Sequence, residues 1–171
     1  MASEPLSHTV YPLAILLLPL GAFVTQITVG RRLARRGDWV STGAMVLATV
    51  LALLTAVDVL SHGDPHYRIE TAVPWVSFGQ VSLTMGFLID NLTAIMLLLV
   101  TAISLCVHIF SIFYMHGDKG YHRYFAFLSL FCFSMLGIVV ADNLLMTFMF
   151  WELVGFSSYA LIGFWFEKAA A

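Results

Sequence analysis

The sequence predicts an all-α fold: a polytopic transmembrane helical bundle of about five spans, with a small external β-hairpin. Three observations predict it. Of the 171 residues, 60% are hydrophobic, only 11% are charged, and most charges lie between long apolar segments. An ordinary soluble domain carries about 25% charged residues. This composition excludes a disordered chain, a nucleic-acid-binding surface and a disulfide-stapled secreted domain.

Five apolar segments are long enough to cross a bilayer, for which a helix needs about 20 residues. The predicted spans are residues 11–30, 40–60, 88–115, 124–141 and 143–166. The leader before the first segment contains an acidic residue and no basic one, so we expect a span there and no cleaved signal peptide. We expect residues 1–171 to form a single membrane domain surrounded by the lipid bilayer.

The basic residues between the spans predict the orientation of the chain. Cytoplasmic loops of membrane proteins are enriched in Lys and Arg. An external N-terminus leaves only Arg68 outside. It places seven basic residues inside, namely Arg31, Arg32, Arg35, Arg36, Lys119, Arg123 and Lys168. The sequence therefore predicts that the N-terminus lies outside.

The external segment 61–87 is the one long stretch without a helical pattern. Within it, residues 67–73 and 81–85 alternate between apolar and polar side chains, which indicates a β-hairpin. The same segment holds two histidines and two carboxylates, namely His62, Asp64, His66 and Glu70. On a Gly- and Pro-containing loop such groups are more often solvated than bound to a metal, so we expect no metal site.

The third span has a polar face. Thr101, Ser104, His108 and Ser111 follow one another at helical spacing and therefore share one side of the helix. Ser and Thr are common contacts between membrane helices, which favours a packing role for these three. His108 has two interpretations, a structural histidine with its hydrogen bonds satisfied or a member of a proton path.

Glu152 is the strongest candidate functional residue because it lies near the middle of the fifth span. A charged side chain at the bilayer centre costs at least about 2.5–3.5 kcal/mol. Gly155 and Tyr159 lie on the same helix face, where the small residue lets another helix approach and the phenol offers a hydrogen bond. A helix that only had to span the membrane would not need Glu152, so we predict a functional intramembrane carboxylate.

Other polar residues in the membrane region have simpler explanations. Two pairs lie where spans three and five begin, and side chains of these types cap the unpaired N–H groups of a helix start. These pairs are Asp90 with Asn91 and Asp142 with Asn143. The two cysteines have no CxxC spacing, and the chain shows neither a P-loop nor a dinucleotide-binding pattern. We expect no cofactor and no redox chemistry on this chain.

Several segments carry a resemblance to a known family. Residues 90–100, 107–112 and 114–115 resemble the N-terminal signature of the antiporter-like subunits of respiratory complex I. Residues 141–145, followed by 151–155 and 158–165, resemble the distal subunit of that group, subunit L or chain 5.

The resemblance implies a proton-translocating membrane-arm subunit of NADH:quinone oxidoreductase in an energy-transducing membrane, either the bacterial inner membrane or the mitochondrial one. It implies that Glu152 belongs to a central hydrophilic axis and pairs with a lysine from a later helix, and that His108 lies on a helix preceding that axis. It places NADH, FMN, iron–sulfur clusters and quinone on other subunits. The implied partners are other membrane-arm subunits and the remaining helices of the same subunit.

The length of the chain departs from the family pattern. Subunits of this family have many more helices, so we expect this chain to be a fragment or one piece of a split subunit. Two alternatives stay open from the sequence. One is a component of a cation/proton antiporter or an inorganic-carbon uptake complex, and the other is a non-catalytic membrane or assembly fragment.

Overall fold

The computed structural model describes residues 7–64, 67–78 and 81–166, and it confirms a helical membrane bundle with a β-hairpin. All five of its long helices are long and apolar enough to cross a membrane. They are α1 (Ser7–Val29), α2 (Asp38–Ser61), α3 (Asn91–Tyr114), α4 (Tyr121–Val140) and α5 (Leu144–Ile162). The chain is therefore an integral membrane protein.

Four of the predicted span boundaries differ from the helix ends by three or four residues. The first and fourth spans begin earlier than predicted, since α1 starts at Ser7 and α4 at Tyr121, and two other boundaries were placed beyond the helix. The third span was predicted to begin at residue 88, but the chain remains extended to Asp90, because residues 88–90 pair with residues 68–70 of the hairpin. The fifth span was predicted to reach residue 166, but α5 ends at Ile162 and residues 163–166 form turns. In both places apolar residues continue past the helix end, so hydropathy alone misplaces the boundary.

The hairpin consists of β1 (Arg68–Phe78) and β2 (Val81–Asp90), which pair antiparallel with an irregularity between Pro74 and Val76. It is longer than predicted. Its base joins the bundle core, where Ile89 is buried and Phe87 forms an isolated bridge to Ala141. The Asn143 amide also donates to the Thr84 carbonyl at 2.9 Å. These contacts fix the hairpin against the α4–α5 connection at one end of the bundle.

The centre of the bundle is α4, which packs against α1, α3 and α5, while α2 lies between α1 and α3. Leu136 and Val140 of α4 belong to the main core cluster. Ala48, Ala52 and Ala56 of α2 are buried in the same cluster, and small residues of this kind let membrane helices approach closely. The packing leaves α5 at the edge of the bundle, with α4 as its main neighbour.

At the other end of the bundle, hydrogen bonds join the ends of α1, α2 and α4 and the connection between α1 and α2. The Gln26 amide donates to the Gly37 carbonyl at 2.5 Å and to the Ser41 hydroxyl at 3.1 Å. The Tyr121 hydroxyl donates to the Asp38 carboxylate at 3.0 Å, which ties α4 to α2. The basic loops after α1 and α3 lie at this end, opposite the hairpin. Which end faces the cytoplasm stays a prediction.

Candidate functional site

The predicted polar face of α3 points into the bundle. Thr101, Ser104, His108 and Ser111 share one side of the helix, as their spacing predicts, and all four are buried. The Thr101 and Ser111 hydroxyls donate to carbonyls one turn back, at 2.8 and 2.7 Å. Ser111 also lies 3.2 Å from the Tyr124 hydroxyl of α4. Since these two hydroxyls have partners, the packing interpretation accounts for them.

His108 is completely buried between α3 and α4, with its ring 6.0 Å from that of Phe125. Its Nδ1 lies 2.8 Å from the Ser104 carbonyl. A carbonyl oxygen can only accept, so Nδ1 carries a hydrogen and donates. Nε2 is buried and has no hydrogen-bond partner among the described residues. The imidazole is thus anchored on one side and left with one unused nitrogen.

One face of α5 packs onto α4. The Phe150 ring occupies a notch above Gly137, where even a methyl group would lie 2.2 Å from Cδ1 of that ring. Phe150 also meets Phe133 edge to face, with ring centroids 5.4 Å apart. Met146 and Ser157, one turn before and two turns after Phe150, are buried along the same side. This side of α5 is the structural one.

Glu152 lies on the other side of α5, eight residues after the first helical residue and ten before the last. It is exposed, and so are Gly155 and Tyr159 beyond it. A Cβ added at Gly155 would have no atom within 4 Å, and the Tyr159 side chain is 76% exposed. In the part of the chain that the structure describes, the Glu152 side chain makes no hydrogen bond and no ion pair. We call Glu152, Gly155 and Tyr159 the open face of α5.

The two predicted site residues do not meet. His108 faces α4 from α3, whereas Glu152 points away from α4 on the far side of α5. No hydrogen bond or ring contact between described residues joins them. They therefore form two separate sites within this chain, a buried histidine and an outward-facing carboxylate.

The predicted helix caps are confirmed for one member of each pair. The Asp90 carboxylate accepts from the Thr93 amide at 2.7 Å, and the Asn143 side chain accepts from the Met146 amide at 2.9 Å. The other two members stabilise the connections instead. Asn91 donates to the Asp64 carbonyl at 3.1 Å, and the Asp142 carboxylate accepts from Asn143 at 2.5 Å.

The histidines and acids of the hairpin region have separate contacts. His62 bonds the Asp58 carbonyl through Nδ1 at 2.8 Å and stacks on Tyr67, while Glu70 forms an ion pair with Arg68. No group of three potential metal ligands occurs within residues 7–64, 67–78 and 81–166. His66 lies outside the described residues.

Sequence reasoning missed a polar cavity at the end of the bundle opposite the hairpin. Basic side chains from two connections meet there with the aromatic residues that follow α5. The basic residues were used to predict orientation, but nothing in their spacing showed that Arg31 and Lys119 would share a cavity. The sequence feature that could have indicated this cavity is Trp165, which lies at the predicted inner boundary of the last span.

Comparison with known proteins identifies the family. A family model described as the N-terminus of chain 5 of NADH-ubiquinone oxidoreductase, complex I, matches residues 75–125. Subunit 5 of the chloroplast NAD(P)H-quinone oxidoreductase of Chlorokybus atmophyticus is 40% identical over 164 residues, which cover 91% of this chain. The chain belongs to the chain 5 family. The resemblance noted in the sequence is thereby confirmed.

Other members of the chain 5 family are similarly close. Subunit L of the NADH-quinone oxidoreductase of Neisseria meningitidis serogroup A is 38% identical over 162 residues, which cover 93% of this chain. This chain spans only about a quarter of the length of these two relatives, since the matched segments make up 25% and 24% of their lengths.

A solved structure shows the same fold. In the membrane-bound sulfane sulfur reductase, an archaeal respiratory membrane complex, one chain superposes with a TM-score of 0.71 at 17% identity. The match covers 87% of this chain and 29% of that chain.

Proposed function

We propose that this chain forms part of a proton-translocating membrane-arm subunit of an NADH:quinone oxidoreductase, in which Glu152 is a titratable group of the proton path. The proposal goes beyond family membership, because it assigns to this chain a part in the activity of a whole complex. The relatives that form such complexes are about four times as long as the segments that match this chain. It places the chain in an energy-transducing membrane, a bacterial inner membrane first, with the N-terminus outside. It assigns the redox cofactors to other subunits.

The observation that carries the proposal is the position of Glu152 on the open face of α5. A carboxylate in the middle of a membrane-crossing helix is tolerated when it faces protein or a water-filled cavity, and it costs several kcal/mol when it faces lipid. Within the described residues nothing covers it. The carboxylate therefore calls for partner helices from the rest of the complex, or water held between those helices and α5.

The neighbours of Glu152 suit such a contact. Gly155 leaves room for a second helix to approach within backbone distance, which is a common arrangement where membrane helices cross. The exposed Tyr159 hydroxyl offers a hydrogen-bond donor and acceptor one turn further along. A cationic side chain on the partner helix would neutralise the carboxylate, as the family resemblance implies.

His108 has a second, weaker place in the proposal. Its anchored Nδ1 fixes the ring, and its Nε2 has no hydrogen-bond partner among the described residues, so a buried water or a proton could be received there. His108 and Glu152 do not touch, so a path that uses both must pass through water or through other helices. The histidine is a relay candidate, and Glu152 is the central one.

The names of the relatives favour this function over the alternatives. Three relatives of this chain are subunits of NAD(P)H-quinone oxidoreductases, and none of these three is described as an antiporter or a carbon-uptake protein. An assembly role without proton transfer makes a different prediction for Glu152. It requires only the shape and hydrogen bonding of the side chain, which Gln retains.

The test is proton pumping by the assembled complex in sealed vesicles. Glu152→Gln keeps the size of the side chain and removes its titratable proton. We expect normal assembly, proton pumping reduced to near the background level, and slower coupled quinone reduction. Glu70→Gln, which makes the same chemical change on the hairpin outside the helices, is the control and should leave pumping unchanged. Normal pumping by assembled Glu152→Gln would refute the role of Glu152.

A further inference from the structure

A cavity of about 530 Å³ opens at the end of the bundle opposite the hairpin. Three separate parts of the chain line it: the α1–α2 connection, the α3–α4 connection with the start of α4, and the segment after α5. The lining residues are Arg31, Asp118, Lys119, Gly120, His122, Arg123, Phe164 and Trp165. This cavity belongs neither to the open face of α5 nor to the surroundings of His108.

The charge of the cavity is positive. Arg31, Lys119 and Arg123 face one acid, Asp118. Both oxygens of Asp118 already accept hydrogen bonds, from the Gly120 amide at 2.7 Å and from the Trp165 indole at 2.9 Å. No hydrogen bond or ion pair with another described residue occupies Arg31 or Lys119. Three cations and one anion therefore line the cavity and leave it with a net positive charge, and neither Arg31 nor Lys119 has an ion-pair partner among the described residues.

Arg123 has a different role, because it is fixed within the wall. It donates to the Phe164 carbonyl at 3.4 Å and lies over the Phe164 and Phe166 rings, 5.1 and 5.6 Å from their centroids. These contacts hold a permanent positive charge in the lining of the cavity. They also make the residue unsuitable for mutation, since its loss would disturb the segment after α5.

The surroundings of the cavity match the level of lipid headgroups. The indole N–H of Trp165 donates to the Asp118 carboxylate, and the centroid of its ring lies 6.2 Å from that of the Tyr114 ring. Tyr114 and Phe166 are mainly exposed and lie next to the cavity at the helix ends. Tryptophan and tyrosine concentrate at membrane interfaces, and basic pockets between helices bind anionic headgroups.

We propose that this cavity binds a phosphate-type anion, the headgroup of an anionic phospholipid, between Arg31 and Lys119. Such a ligand bridges the α1–α2 and α3–α4 connections, which otherwise bring like charges together. The exposed aromatic rings beside the cavity offer an apolar surface to the acyl chains. A soluble phosphate would satisfy the same two cations but would not use that surface.

The experiment measures phosphatidylglycerol binding to the full chain in detergent by titration, with phosphatidylcholine and inorganic phosphate as the other probes. Arg31→Gln and Lys119→Gln are the test variants, because no hydrogen bond or ion pair joins either side chain to another described residue. We expect each to weaken phosphatidylglycerol binding by roughly fivefold, the equivalent of about 1 kcal/mol for one basic group at a membrane surface. Arg32→Gln is the matched control, since Arg32 is exposed beside Arg31 and does not line the cavity.

Each outcome decides the proposal. Loss of phosphatidylglycerol binding in Arg31→Gln and Lys119→Gln but not in Arg32→Gln supports a lipid site. The same pattern with inorganic phosphate and without phosphatidylglycerol supports the anion site and identifies a soluble ligand. Equal losses in all three variants show general surface charge and overturn the proposal. Absence of binding by either anion overturns it as well.

Discussion

The helices α4 and α5 are neighbours with similar composition, yet they differ in what surrounds them. In the most apolar part of α4, 56% of the residues are buried within the chain, compared with 11% in α5. The buried hydroxyls of α4, Ser129 and Ser134, donate to carbonyls one turn back at 2.8 and 2.7 Å. On α5, Glu152 and Tyr159 point outward. The comparison shows that α4 is packed within the fold of this chain, whereas the open face of α5, which carries Glu152, is not covered by any described residue.

The largest expected difference between α4 and α5 is in the unfolding free energy that is lost when an aromatic ring is removed. Phe125 of α4 is fully buried, and Phe156 of α5 is 55% exposed. We expect Phe125→Ala to lower the free energy of unfolding by about 3–5 kcal/mol, and Phe156→Ala by under about 0.5 kcal/mol. Thermal unfolding of the purified chain in detergent measures both. Similar losses would mean that α5 is packed more fully than the structure shows.

A second comparison uses one glycine from each helix. A methyl group at Gly137 would collide with the Phe150 ring, whereas one at Gly155 meets nothing. In the isolated chain we expect Gly137→Ala to destabilise the fold by about 1–3 kcal/mol. Gly155→Ala should be neutral or stabilising by up to about 1 kcal/mol through helix propensity. Thermal unfolding under the same conditions compares the two, and destabilisation by Gly155→Ala would contradict an open face.

The smallest expected effect concerns how each helix begins. No side-chain cap is present at the start of α4, where Gly120 precedes the helix, whereas Asn143 caps α5. We expect Asn143→Ala to cost about 1 kcal/mol of unfolding free energy. Asn143→Ser keeps a capping oxygen and loses the two bonds that the amide nitrogen donates, to Thr84 and to Asp142, so it should recover most of the loss. Equal effects of Ala and Ser would assign the stabilisation to the amide-nitrogen bonds instead of the cap.

Helices α3 and α5 show which features the sequence could predict. Hydropathy located five spans, and helical spacing placed His108 with three hydroxyl residues on one face, because both depend on residues close together in the chain. Burial of that face and exposure of Glu152 depend on which helices become neighbours. Spacing did group Glu152 with Gly155 and Tyr159, but it could not show that the group points away from α4.

Contacts between distant segments explain the remaining differences. The helical start at Asn91 follows from pairing of residues 88–90 with the other hairpin strand, which apolar composition does not reveal. The notch that receives Phe150 needs Gly137 of the preceding helix at the matching height. The basic cavity forms only where three separate parts of the chain meet, namely the two basic connections and the segment after α5. None of these partners is adjacent in the sequence.

The claim that other helices of the complex cover the open face of α5 can be measured directly by thiol accessibility. Gly155→Cys is introduced after Cys106, which is exposed on α3, has been replaced by Ser. A membrane-permeant maleimide should label this thiol rapidly in the isolated chain. In the assembled complex we predict that labelling is almost abolished, because a partner helix lies against Gly155. Equal labelling of the isolated chain and the assembled complex would show that position 155 is not covered by a partner helix, and would contradict the account.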